Sequence, residues 1–328
     1  MKVLFIGGTG NISSASSRLA LEKGFDLYLL TRGQTDCAFD GARILKADIN
    51  DVNGVKSLLH DHFFDVVVNW IAFNPKDIER DYDLFKDKTD QYVFISSASC
   101  YQKPLSHPII TESTPLANPF WDYSRNKIAC EDALMSLYRE KGFPITIVRP
   151  SLTYDTVIPV PIGGWTEYTI VDRIKKGKKI IIHGDGSSLW TITHARDFAI
   201  GFVGLLGHQQ DIGHSFHITS DEILTWNQIY KAVSMAAGKE AEIVYIPSDY
   251  LGTFDEQLRG SLLGDKAVST IFDNSKIRRY VPEFNPNIRF KDGILATIKW
   301  FEEDPVRMVI NPETNAFMDR IIGTYLSF

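Results

Sequence analysis

Cysteine is scarce in this 328-residue chain, which carries only Cys37, Cys100 and Cys130. An odd count without metal-ligand spacing excludes a disulfide framework and predicts reduced thiols in a cytoplasmic protein. An excess of basic charge is missing too. The net charge of −6 leaves no broad electrostatic footprint for nucleic acid. The one dense basic run, Arg173 to Lys179, reads as the solvated end of a helix. No apolar run reaches the ~18 residues of a membrane span. The first ten residues run into a glycine turn and not to a cleavage site, so no secretory leader is expected. His183, His194, His214 and His217 crowd one stretch but lack the spacing of a zinc site, so no metal is expected.

What remains is 44% hydrophobic and 23% charged, enough for a large core in two domains or in one with an appendage. The informative stretch is the beginning. Lys2 to Ile6 is a short aliphatic run, Gly7-Gly-Thr-Gly10 follows, and a helical pattern runs from there to Gly24. A buried strand thus enters a tight turn and then a helix. Gly7 permits the turn, and Gly10 lets the backbone approach a pyrophosphate seated on the helix N-terminus. Gly7, Gly10, Asn11 and Ile12 are therefore candidate cofactor contacts. The third glycine of the spacing is absent, and the small Ser13 stands there.

Strand and helix then alternate. Phe25–Thr31, Arg43–Asp48, Asp65–Trp70, Gln91–Ser96 and Ile145–Arg149 read as strands, with helices from Asp51, Pro75 and Trp121 between them. That rhythm predicts an α/β fold, a doubly wound parallel Rossmann sheet over residues 1–150 with ligands at the carboxyl ends of the strands. Residues 151–328 are expected to form a smaller α/β substrate lobe, some of it returning to the large sheet. In that half, helices are expected at Trp165–Lys176, Ala195–Leu206, from Thr225 as N-cap, and at Phe290–Glu303.

An acidic residue is lacking after the second strand, where it would bind a ribose 2′-hydroxyl. Thr31 and Arg32 stand there instead and favour NADP over NAD, unless Arg32 is only a surface turn residue. The fifth strand ends in a serine cluster that includes Ser97 and Ser99. Tyr123 and Lys127 lie four apart and so share one helical face. An ammonium beside a phenol lowers its pKa and makes proton exchange with a hydroxyl feasible at neutral pH.

Gly7, Gly10 and Ser13, Asp48, Ser97, the Tyr123/Lys127 pair, Arg149-Pro150 and Gly184-Asp-Gly186 together resemble the short-chain dehydrogenase/reductase superfamily, in its extended branch of NAD-dependent epimerases and dehydratases. The likeness spans nearly the whole chain. It implies that Asp48 and Ile49 flank the adenine and that Pro150 lies by the nicotinamide. Ser97 and Tyr123 would handle the reacting hydroxyl, and Lys127 would touch the ribose and tune Tyr123. It also implies a homodimer built on the Tyr123 helix.

Two departures bear on chemistry. Ala98-Ser99 replaces the Asp-Glu pair of the dehydratases, which argues against water elimination. Trp190 stands where many relatives place a diphosphate-clamping arginine, so the substrate is expected to be sugar-like but not necessarily a nucleotide sugar. Ser99, Trp190 and His194 are the candidate substrate contacts. The expected function is an NAD(P)-dependent oxidoreductase or epimerase acting on a secondary hydroxyl or keto group. The alternatives are an RNA-binding relative on the same fold and a non-catalytic dinucleotide sensor.

Overall fold

A computed structural model describes residues 1–33 and 39–327; Cys37 lies outside them. Seven strands form one sheet in the order Ser215–Ile218, Ile145–Pro150, Thr89–Ile95, Phe64–Asn69, Lys2–Ile6, Asp26–Thr31, Arg43–Lys46. Every neighbouring pair is parallel. The strand Lys2–Ile6 shows why the sheet must be covered twice. Val3 and Phe5 point into one apolar layer with Phe198 and Phe202, while Leu4 and Ile6 point into the other with Val55, Ile78 and Leu134. Strands buried on both faces read as continuous apolar runs. The edge strand Arg43–Lys46 is largely exposed and basic, which discourages pairing with another chain.

Ser215–Ile218 completes the sheet beside Ile145–Pro150, so residues 1–150 do not hold all seven strands. A third core belongs to the C-terminal lobe and centres on Trp226, Ile180 to Ile182, Phe290 and Ile294. There the strands Lys179–His183 and Glu242–Ile246 pair in parallel. Thr225 caps the helix Trp226–Ala236 and exchanges hydrogen bonds with Gln228, a reciprocal capping box.

Two sequence expectations change here. The helix expected from Trp165 begins at Thr169, because Gly163 and Trp165 both have positive φ (+74° and +61°) and cannot continue into helical geometry. The basic run is not solvated throughout. Arg173 is 1% exposed, donates to the carbonyl of Lys179 and pairs with Asp319 at 2.6 Å. A long guanidinium can be buried when each N–H finds an acceptor.

Candidate active site

The glycine turn sets the geometry. Gly7 and Gly8 have φ of +92° and +99°, a region that costs other residues strain. A Cβ on Gly8 would lie 2.8 Å from the Leu29 side chain, so Gly8, which sequence reasoning passed over, is fixed by packing. Ser13 does more than stay small. Its hydroxyl accepts from the Gly10 amide at 2.8 Å, closing the turn against the helix Asn11–Glu22. Ser17 donates to the carbonyl of Gly8 at 2.9 Å. Asn11 donates to the carbonyl of Thr153 at 3.1 Å, tying the turn to the segment that follows Pro150.

Two cavities meet over this turn and share Gly7, Thr9 and Ile71. The outer one, of about 390 Å³, is lined by Thr31, Arg32, Asp48 and Ile49. The inner one, of about 720 Å³, is lined by Gly10, Asn11, Ile12, Ser97, Ser99, Tyr123, Lys127, Pro150 and Trp190. The candidate residues from Gly7 to Trp190 therefore line two adjoining cavities along the carboxyl ends of the strands. His194 does not join them. Its Nδ1 accepts from the Arg196 amide at 3.2 Å as a helix N-cap, and its ring packs edge-on to Tyr154.

The groove fits a dinucleotide. It has two lobes joined across a glycine turn in which Gly7 and Gly8 hold positive φ and Gly8 has no room for a Cβ, with a helix N-terminus at the joint. The buried Oδ1 of Asn11 lacks a hydrogen-bond partner and, as an acceptor, can take only a donor such as a ribose hydroxyl. Thr31, Arg32, Asp48 and Ile49 would hold the adenosine end. Gly7, Gly10, Asn11 and Ile12 would hold the pyrophosphate, and Lys127 and Pro150 the nicotinamide end.

At the inner end, Ser97 Oγ lies 2.9 Å from Ser99 Oγ, which accepts from Ser124 at 2.7 Å. Ser99 is 3% exposed, so its hydroxyl orients Ser97 as well as lining the cavity. Lys127 is buried and donates to the carbonyls of Ala72 and Ile95, each at 2.7 Å. Burial lowers its pKa to about 8. Tyr123 packs against Trp121 and Phe73. Burial pushes the phenol above its usual range, Cys100 adds to the rise, and Ser97 opposes it. Burial, and not a neighbouring ammonium, dominates the phenol's shift. The Lys127 ammonium is committed to two backbone carbonyls, 5.9 Å from the phenol ring centre.

The lowered Lys127 pKa has a consequence for stability. The unfolded chain holds this proton up to pH ~10.4, the folded chain only to about 8. Between those values the unfolded state binds more protons, so stability rises with pH. Urea unfolding at several pH values should show wild type gaining stability relative to Lys127→Met from pH 8 upward. A pH-independent difference would contradict this burial argument.

Sequence reasoning missed several lining residues. Trp121, Trp165, Asp265, Lys266 and Thr270 all face the inner cavity, and nothing in their spacing announces it. It also missed Glu131, although Tyr123, Lys127 and Glu131 continue one four-residue spacing. Glu131 accepts from Arg149 at 2.5 Å and from Ser96 at 2.5 Å, directly beneath the serine cluster.

The profile of the NAD dependent epimerase/dehydratase family matches residues 3–219. A UDP-glucose 4-epimerase of Lactobacillus helveticus is 31% identical over 337 residues, covering 93% of this chain and 98% of that protein. The chloroplast stem-loop binding protein of 41 kDa b from Arabidopsis thaliana is 29% identical over 265 residues, covering 76% of this chain and 67% of that protein. The crystal structure of UDP-glucuronic acid 4-epimerase from Bacillus cereus, in complex with UDP-glucuronic acid and NAD, superposes with a TM-score of 0.73 at 18% identity. It covers 92% of this chain and 99% of that one, and shares the fold.

Proposed function

The chain belongs to the NAD dependent epimerase/dehydratase family, and on that footing we propose that it is an NAD(P)-dependent oxidoreductase or epimerase acting on a secondary hydroxyl or keto group of a sugar-like substrate. The observation that carries this reading is that Ser97, Tyr123 and Lys127 line the same cavity as the glycine turn. A bound dinucleotide supplies hydride acceptance or donation at its nicotinamide. The protein's own part is proton handling and orientation. Ser97 holds the substrate oxygen, its hydroxyl directed by Ser99. Tyr123 exchanges a proton with that oxygen through its phenol. Because burial keeps the phenol protonated, it stands ready as a proton donor to a keto oxygen. Lys127, fixed by two backbone carbonyls, lines the same cavity and would meet the nicotinamide end of the cofactor.

Two finer readings rest on sequence features. Ala98-Ser99 offers no carboxylate for water elimination, so dehydration is not part of the proposed activity. Arg32 at the outer cavity favours the 2′-phosphate of NADP. A second function is favoured by one observation, the likeness to a stem-loop binding protein. Its weakness is the acidic net charge.

One experiment addresses all of these. One portion of the purified protein is denatured and its supernatant analysed by mass spectrometry, while a native portion is titrated with NADPH and NADH and with a structured RNA at two salt concentrations. Stoichiometric NAD(H) supports an epimerase that retains its cofactor. Trace cofactor with tighter NADPH binding supports a reductase. No dinucleotide binding, with RNA binding that weakens in salt, would replace the enzyme reading by the RNA one.

A further inference from the structure

The inner cavity extends past the catalytic residues into a region built by the C-terminal lobe. Asp265 and Lys266, which line it, end a single π-helical turn, Leu262–Lys266, a geometry that in proteins often marks functional sites. The turn is pinned from two sides. The carbonyl of Lys266 accepts from Trp226 Nε1 at 3.0 Å and lies 3.2 Å from His183 Nε2. Asn118 donates to the carbonyl of Gly264 at 2.7 Å, and a Cβ on Gly264 would meet Trp121 at 2.9 Å.

The charges in this region cancel. Among the described residues lining the cavity, the only lysines, arginines and carboxylates are Lys127, Asp265 and Lys266. Lys127 is held at the catalytic end by two carbonyls. The Lys266 ammonium sits 3.4 Å from the Asp265 carboxylate. No unpaired cation is left for a substrate diphosphate, and the helix N-terminus at Asn11 would already hold the dinucleotide's pyrophosphate. What the region does offer is neutral. Trp121 Nε1, Trp190 Nε1 and Thr270 Oγ1 are buried without hydrogen-bond partners, and all three residues line the cavity. Trp190 is 3% exposed and stacks on Trp226, so it cannot swing out.

At the mouth is the one non-glycine residue of positive φ among the described residues, Trp165 (φ +61°). The backbone holds it there with two hydrogen bonds to Ile158, at 2.6 and 2.9 Å. Its side chain is nevertheless 47% exposed. A large aromatic kept in a strained conformation and left half in solvent has no packing reason to be there, and strain of this kind gathers at ligand clamps.

We propose that this region is a subsite for an uncharged, hydroxyl-bearing ring, such as a glycoside without a nucleoside diphosphate, and that Trp165 is its stacking clamp. The ring's hydroxyls would meet the free indole N–H groups and Thr270, while its apolar face lies on Trp165. This rests on the enzyme reading above and narrows its substrate class.

The test uses the NADH-loaded protein. Tryptophan fluorescence and thermal shift are followed against a panel of methyl and 4-nitrophenyl hexosides, with UDP, dTDP and UDP-glucose as charged probes. At least one uncharged glycoside should bind more tightly than every charged probe. That binding should weaken about tenfold in Trp165→Gly and recover in Trp165→Phe. Tighter binding of UDP-glucose, no binding of any glycoside, or glycoside binding indifferent to Trp165→Gly would each overturn the proposal. NADH affinity is measured on the same samples. If it is intact, only the substrate class has failed; if NADH does not bind, the enzyme reading falls with it.

Discussion

Tyr123→Phe is expected to cut turnover by about 10²–10⁴-fold, the usual contribution of a positioned general acid or base, and to leave the Kd for NADH unchanged. The substitution removes one oxygen and keeps the ring that packs on Trp121, at 4.9 Å between centroids, and on Phe73 at 6.4 Å. The dinucleotide groove therefore keeps its shape. The loss should fall on kcat and not on KM, because the phenol acts when the proton moves. Nicotinamide absorbance with any substrate that supports turnover provides the assay. A variant within about threefold of wild type would place the acid elsewhere and reduce Tyr123 to a wall of the cavity.

Glu131→Gln should lower stability by about 3–5 kcal/mol, the cost of leaving one member of a buried ion pair without its partner. The Glu131 and Arg149 side chains are 3% and 6% exposed. Arg149 Nη1 also reaches the Tyr101 hydroxyl at 3.2 Å and the Glu112 backbone carbonyl, but these two hydrogen-bond partners are uncharged and do not replace the direct ion pair. Ser96 would also lose the anionic acceptor it now reaches at 2.5 Å. Ser96 adjoins Ser97, so turnover should fall alongside stability. Urea unfolding of the single variant and of Glu131→Leu with Arg149→Met separates the pair from the space it fills. The double variant should recover most of the loss, since replacing both charges by apolar groups is often close to neutral. A single-variant loss below ~1 kcal/mol would mean that the pair behaves like a surface salt bridge.

The two predictions divide along what each side chain needs. Tyr123 could be named from the chain alone because helical spacing is local, and four residues on the helix Asp122–Lys141 put Tyr123 and Lys127 on one face. Glu131 follows at the same spacing, yet its role depends on Arg149 from the strand Ile145–Pro150. Spacing shows which way a side chain points and not what will stand opposite it.

The same distinction runs through the molecule. The sequence by itself determined the parallel sheet, because strands buried on both faces must be apolar throughout and glycines must follow the first of them. It pointed to a groove for a dinucleotide, because the glycine turn and the strand ends are local features in a fixed order. It also determined the Thr225 cap. Only the tertiary structure decided the pKa relation of Lys127 and Tyr123, since two backbone carbonyls from distant segments hold the ammonium. It moved His194 from the substrate to a helix cap, and it buried Trp190 against Trp226. It alone brought Trp165 and the turn Leu262–Lys266 to the same cavity from nearly a hundred residues apart. Contacts of that kind are set by how the two lobes pack, and packing depends on shape and desolvation summed over the whole chain, which no local spacing records.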